Sequence, residues 1–289
     1  MENPVHTVSA SDWCRPGTDP AWIAVVEAGG VLYFPRLAFD LSSEERALLR
    51  PELLAAGVRN ISWDRARGLK GVAGDSTVQQ AVQAMVARFA DQATALVNGL
   101  FPAYAAHLRI ASTSLRPMQV ADRRQSVRAD DRRLHVDAFP SRPNRGERIL
   151  RVFTNVNPYG EPRVWRVGEP FEDVARRFLP QAKPYSQWQA RLLSQLGVTK
   201  SLRSEYDHLM LQLHDLMKAD ERYQSDSPQL RMPFPPGSSW VCFSDQTVHA
   251  AMSGQHLLEQ TFHLPMARQY NPETSPLAIL GRLVGHPLI

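Results

Sequence analysis

From Asp75 to Phe101 the apolar positions Val78, Val82, Met85, Val86, Phe89, Ala93, Leu96, Val97 and Leu100 recur at intervals of three and four. That spacing places them on one stripe of a helix, so it predicts a single long helix packed by that stripe against a sheet. A shorter helix starts at "DLSSEERALL", just after the apolar run "GGVLYFPRLAF". Ser42 or Ser43 can cap it, and Glu44 and Glu45 suit its first turn. Residues 186–220 also read as helical, with Tyr206, Leu209, Met210, Leu213, Leu216 and Met217 on one face.

From about residue 111 the pattern shortens. "RILRVFTNVNP" reads as a strand closed by the turn "NPYGEP"; "RVWRV" is the next strand, and "GEPFEDVARRF" opens a helix. After "MPFPPGS" come "SWVCFSD", "TVHAAM" and "LLEQTFHL", three strand-like runs separated by turn residues. Several short strands with tight turns suggest a barrel or a double-sheet roll. The expected organisation is one domain over 1–289. It has a mainly helical part at 1–110, a β-roll at 111–170 and 228–268, and a helical insertion at 171–227.

Composition narrows this to a globular chain. Of 289 residues, 43% are apolar and 21% charged, enough for a sizeable core. No apolar run approaches the roughly 18 residues of a membrane span. The start "MENPVHTVSASDW" lacks a charged-then-apolar leader pattern, so a cytoplasmic location is expected. Cys14 and Cys242 are then expected to stay reduced. The net charge of +4 says little about partners, but its distribution says more. Between Arg116 and Arg151 lie eight further arginines, Arg123, Arg124, Arg128, Arg132, Arg133, Arg142, Arg145 and Arg148, against five acidic residues. Arginine grips carboxylate and phosphate bidentately; a solvated loop surface accounts for the same residues equally well.

Candidate chemistry centres on "RRLHVDAFPSRP". In an extended segment residues i and i+2 project to one side, so His135 and Asp137 would point together. Two histidines and one carboxylate on one face hold non-haem Fe(II) and leave open positions. A third ligand should come from a distant strand, and His249 in "FSDQTVHAAMSG" qualifies, with 111 residues between it and Asp137. His256 and His263 remain rivals. His208 and His214 lie in a helical stretch and suit its surface; His107 and His286 have no supporting context.

At these residues the chain resembles a known family. "LHVDAFPSRPNRGERILRVFTNVNP" with "GEPRVWRVGEPFEDVARRFLP", and earlier "GGVLYFPRLAFDLSSEER" and "NISWDRARGLKG", are similar to the 3-deoxy-D-manno-oct-2-ulosonic acid (Kdo) hydroxylases, which depend on Fe(II) and 2-oxoglutarate. The resemblance implies an α+β double-stranded β-helix of the jelly-roll, cupin-like type. N-terminal helices precede it, and a helical insertion separates the metal-ligand strands. It also implies hydroxylation at C3 of Kdo in Kdo–lipid A, the inner core of lipopolysaccharide, giving D-glycero-D-talo-oct-2-ulosonic acid (Ko). Succinate and CO2 are the co-products, O2 is the oxidant, and ascorbate helps in vitro. His135, Asp137 and His249 become the implied iron ligands.

"NVNPYGEPRVW" is also similar to the segment of Jumonji-type oxygenases whose Asn and Lys hold 2-oxoglutarate. Position by position that points to Asn155 and Arg163, with Arg in place of Lys. Arg151, Arg166 and Arg268 stay open as alternatives. Arg123, Arg128, Arg142 and Arg145 are candidate grips on the acidic sugar or the lipid phosphates. A lipid-anchored substrate implies peripheral contact with the inner membrane at its cytoplasmic face, with "RMPFPPG" as a candidate apolar contact. No nucleic-acid partner is expected, because only Phe139 interleaves the arginines. Three rival readings are another 2-oxoglutarate oxygenase of an acidic small molecule, a zinc hydrolase on the same His/Asp/His set, and a non-enzymatic binder of nucleic acid or anionic lipid.

Overall fold

The structure is a computed structural model that describes residues 3–122 and 125–289. In chain order its elements are β1 (Val5–Thr7), α1 (Pro20–Glu27), β2 (Val31–Phe34), α2 (Ser43–Ala47), β3 (Ile61–Asp64), β4 (Gly68–Lys70) and α3 (Ser76–Leu100). Then come β5 (Arg109–Arg116), β6 (Arg148–Asn155), β7 (Arg163–Gly168), α4 (Phe171–Phe178), α5 (Gln187–Gln195), α6 (Glu205–Ala219) and α7 (Glu221–Asp226). The chain ends with β8 (Gln229–Phe234), β9 (Ser239–Phe243), β10 (His249–Ser253), β11 (Leu257–Leu264) and α8 (Pro276–Val284).

Eight strands form one sheet in the order β1-β2-β9-β6-β11-β5-β3-β4, and three form a second in the order β10-β7-β8. All pairings are antiparallel except β1 with β2. The two sheets face each other as a double-stranded β-helix, with α4–α7 as a helical insertion between β7 and β8.

Helix α3 behaves as its periodicity predicts. Asp75 caps it by accepting from the Val78 amide at 2.9 Å. Its stripe, including Val82, Met85, Phe89, Ala93 and Leu96, packs with Leu150, Val152, Val241, Phe243, Leu258 and Phe262 on the outer face of the large sheet. Each of the large side chains so buried contributes about 1.5–3 kcal/mol. The other face of that sheet looks into the roll. This is why β6 is buried at nearly every position instead of alternating.

The insertion covers the small sheet. Leu134, Val136, Val248 and Ala250 pack with Phe171, Val174, Tyr206, Leu213 and Leu280 of α4, α6 and α8. Burying those neighbours outward forces His135, Asp137 and His249 inward.

Two expectations change. The 1–110 stretch, expected to be mainly helical, also supplies β1–β4 to the large sheet, since these runs of three or four residues are too short to show a period. The helical reading of 186–220 breaks in two. Gly197 adopts φ +69 after α5, and a fresh capping box of Ser204 and Asp207 starts α6.

Candidate metal centre

His135 and His249 face each other across adjacent extended segments, exchanging two backbone hydrogen bonds of 2.9 Å. The Asp137 amide donates to the Ser244 carbonyl at 2.8 Å, which fixes the third residue against the β9–β10 turn. One donor atom from each of His135, Asp137 and His249 lies within 4.8 Å of the others. His256 and His263 are outside this group. His256 sits in the turn before β11 with φ 56, its ring against Tyr159. His263 is on β11, lining a cleft.

The ring orientations suit a metal. Nδ1 of His135 lies 2.7 Å from the Arg133 carbonyl, and Nδ1 of His249 lies 2.8 Å from the Thr247 carbonyl. A carbonyl only accepts, so each Nδ1 carries the proton and each Nε2 keeps its lone pair for a cation. Burial lowers the pKa of both rings, that of His135 well below 6.5, so both are neutral and ready to ligate. Burial alone would raise the Asp137 pKa. The Arg151 guanidinium beside it outweighs this and holds the carboxyl well below the usual range.

Around the triad stand Arg151, expected only as an alternative 2-oxoglutarate clamp, and Arg116, Glu259, His214 and Trp165, which the sequence does not single out as site residues. Arg151, on the inner face of β6, lies 3.2 Å from Asp137 Oδ2 and 3.1 Å from Glu259 Oε1. Arg116 holds the other oxygen of Glu259 at 2.8 Å. Burial raises the Glu259 pKa, but these two guanidinium groups prevail and keep it ionised. His214, set aside as a surface residue, packs edge-on against the His135 ring at 5.5 Å. Trp165 stacks on His249 at 4.9 Å. Inward parity along β6, β7 and β11 was the available signal, but the register needed to use it was not.

The structure does not bring Asn155 and Arg163 to the triad. His249 pairs with Val167, so Arg163 lies four residues further along β7, beyond Trp165. Its guanidinium donates to the Gly254 carbonyl at 2.8 Å. The Asn155 side chain donates to the Glu161 and Phe234 carbonyls and accepts from the Asn157 amide, which spends it on the β6–β7 turn. Arg166 is likewise engaged with Gln224, Gln229 and the Arg132 carbonyl.

Beside the triad opens a cleft of about 640 Å³ whose basic lining is Arg67, Lys70, Arg109, Arg116, Arg142 and Arg151. Asp64, Glu147 and Glu259 pair with Arg67, Arg109 and the Arg116–Arg151 couple. Lys70 and Arg142 form no ion pair among the described residues. Of the four arginines expected to grip substrate, only Arg142 lines this cleft. Arg123 lies outside the described residues. Arg128 pairs with Asp215 of α6 at 3.1 Å, and Arg145 is turned outward in a left-handed backbone conformation (φ 51).

Two neutral imidazoles and a carboxylate at the open end of a double-stranded β-helix define a non-haem Fe(II) oxygenase of the 2-oxoglutarate-dependent type. The comparisons carry this to a family. Residues 11–287 match the family model described as 3-deoxy-D-manno-oct-2-ulosonic acid (Kdo) hydroxylase. The chain belongs to that family. It is 44% identical to the Kdo hydroxylase KdoO, a non-haem Fe(II) α-ketoglutarate-dependent dioxygenase, in a crystal structure with α-ketoglutarate and Fe(III). That match covers 99% of this chain and 97% of the other, with a TM-score of 0.93. The cobalt(II) complex of KdoO gives 45% identity, the same coverage and a TM-score of 0.94, and the complex with succinate and Fe(III) gives a TM-score of 0.92. No curated protein matches the chain. The protein is therefore an Fe(II)- and 2-oxoglutarate-dependent Kdo hydroxylase, and the hydrolytic-zinc and non-enzymatic readings are set aside.

Proposed function

We propose that the chain hydroxylates C3 of a Kdo unit in Kdo–lipid A to give Ko, consuming O2 and 2-oxoglutarate and releasing succinate and CO2. The observation that carries this reading is the convergence of a His/Asp/His triad and a basic cleft in a chain of this family. His135 and His249 would each offer Nε2 to iron, and Asp137 one carboxylate oxygen. Iron with bound 2-oxoglutarate supplies the oxidising power needed to hydroxylate an unactivated C–H bond.

The protein's own residues do the rest. The Arg133 and Thr247 carbonyls hold the two rings in the ligating tautomer. Arg151 grips Asp137 Oδ2 and leaves Oδ1 free to face the histidines. Lys70 and Arg142 give the cleft a net positive lining for the carboxylate of an acidic sugar. Trp165, Phe153, Phe234 and Trp240 fill the roll behind His249 with aromatic side chains and keep water from that side. Because its substrate is anchored in a bilayer, this reading includes contact with the cytoplasmic face of the inner membrane. In "RMPFPPG" the first four residues end β8 and Phe234 is fully buried, so that side chain is not available for such a contact.

Purified protein with Fe(II), ascorbate and 2-oxoglutarate should add one oxygen atom to Kdo–lipid A by mass spectrometry, with matching succinate. Succinate release without that mass gain would reject the substrate assignment. For the co-substrate, Arg151 with Arg116 replaces Arg163 as the carboxylate clamp, since both lie on the triad side of the roll. Arg151→Met should raise the KM for 2-oxoglutarate about tenfold or more, the loss typical of a charged hydrogen bond. Arg163→Met should leave it nearly unchanged. The opposite ranking would return the clamp to Arg163.

A further inference from the structure

Residues 188–202 hold five of the eleven exposed large apolar side chains of the described chain: Trp188 (70% exposed), Leu192, Leu196 (67%), Val198 and Leu202. Trp188, Leu192 and Leu196 are spaced four apart along α5 and its C-cap, so they form one outward stripe, while Ala190 on the opposite side is buried. The charge around this stripe is one-sided. From Val174 to Ser204 there are six basic residues, Arg176, Arg177, Lys183, Arg191, Lys200 and Arg203, and no Asp or Glu. Lys183, Arg191 and Lys200 are exposed and form no ion pair among the described residues.

We propose that α5 and the turn after it are the element that docks this enzyme on an anionic lipid bilayer, with Trp188, Leu192 and Leu196 entering the interface and Lys183, Arg191 and Lys200 meeting the headgroups. An apolar stripe with a Trp, rimmed by long basic side chains, is the pattern of a helix lying in a membrane surface. A second copy fits the patch poorly. A two-fold contact would set Lys183, Arg191 and Lys200 against their own like charges.

The position suits the task. The Lys200 amide donates to the Ser141 carbonyl at 2.9 Å, and Arg203 donates to the Pro140 carbonyl at 2.7 Å. The 139–142 loop so held contributes Phe139 and Arg142 to the basic cleft. A bilayer under α5 therefore lies beside the cleft mouth, where a lipid-anchored acidic sugar must enter. This inference rests on the Kdo–lipid A reading for the use of docking, not for docking itself.

The test is flotation of the full-length protein with vesicles of phosphatidylethanolamine and phosphatidylglycerol, against vesicles of phosphatidylcholine. Binding is expected to the anionic vesicles and to weaken with salt. Replacing Trp188, Leu192 and Leu196 together by Ser should lower the affinity on the order of a hundredfold, and each of Lys183→Gln, Arg191→Gln and Lys200→Gln about fivefold. All these variants should keep wild-type Fe(II) binding and wild-type activity on detergent-solubilised Kdo–lipid A. Equal vesicle binding by the wild type and the triple Ser variant would overturn the proposal. So would a wild-type dimer that the triple variant breaks while neither protein binds vesicles. Vesicle binding without oxygenation of solubilised Kdo–lipid A would uphold docking and reject the substrate assignment instead.

Discussion

Asp137→Ala is expected to abolish hydroxylation and to lower Fe(II) affinity by more than the ~100-fold that loss of an outer-shell partner costs a metal site. Asp137 is the only carboxylate in the triad. Its removal leaves two neutral imidazoles facing the Arg151 guanidinium, which no longer has the aspartate to balance it. A divalent cation then meets a site with net positive charge where it previously met a neutralised one. The fold should survive, because Arg151 keeps its ion pair with Glu259. His135→Ala and His249→Ala should also silence the enzyme while leaving that ion-pair chain intact. Isothermal titration with Fe(II) under anaerobic conditions, alongside succinate release, checks all three. Fe(II) affinity within a few-fold of wild type in Asp137→Ala would remove the triad from consideration.

How far the sequence disclosed this site depends on the kind of signal each residue leaves. Helix α3 was legible because its stripe and its Asp75 cap are local features. His135 and Asp137 were legible as a pair because alternation places i and i+2 together in any extended segment. The choice of His249 over His256 and His263 was not fixed by spacing. His263 also lies on a strand, and only the pairing of His249 with His135 separates them. The distance of Asn155 and Arg163 from the triad was hidden for a similar reason. Parity does put Arg163 on the inner face, but Trp165 stands between it and His249, and no local pattern announces a stacked aromatic. The basic cleft draws Arg67 and Lys70 from the β3–β4 hairpin, Arg116 from β5 and Arg142 from a loop. Such a patch is assembled by strand order, so reading arginines in one sequence window found one of its members and three that belong elsewhere or outside the described residues.

The largest effect on stability is expected from Asp245→Ala. Arg148 and Asp245 are both fully buried, joined at 2.7 Å, and Arg148 also donates to Gln246 at 2.6 Å and lies 4.0 Å over the Phe243 ring. Asp245 accepts in addition from the Ile149 amide at 3.1 Å. Removing the carboxylate strands a guanidinium in the protein interior, a change that costs about 3–5 kcal/mol, or about 5–8 °C in Tm for a chain of this size. The damage should reach the metal site through the backbone. The turn that carries Asp245 also presents the Ser244 carbonyl to the Asp137 amide and leads directly into His249. A loosened turn separates two of the three residues proposed to hold iron, so Fe(II) affinity should fall together with stability. The double variant Arg148→Met with Asp245→Leu should recover most of the lost stability, since apolar residues of similar volume can replace a buried ion pair at little net cost. Chemical denaturation of the three proteins decides the matter. A loss below about 1 kcal/mol in Asp245→Ala would mean that water or a rearranged partner neutralises Arg148, and that the β9–β10 turn does not depend on this pair.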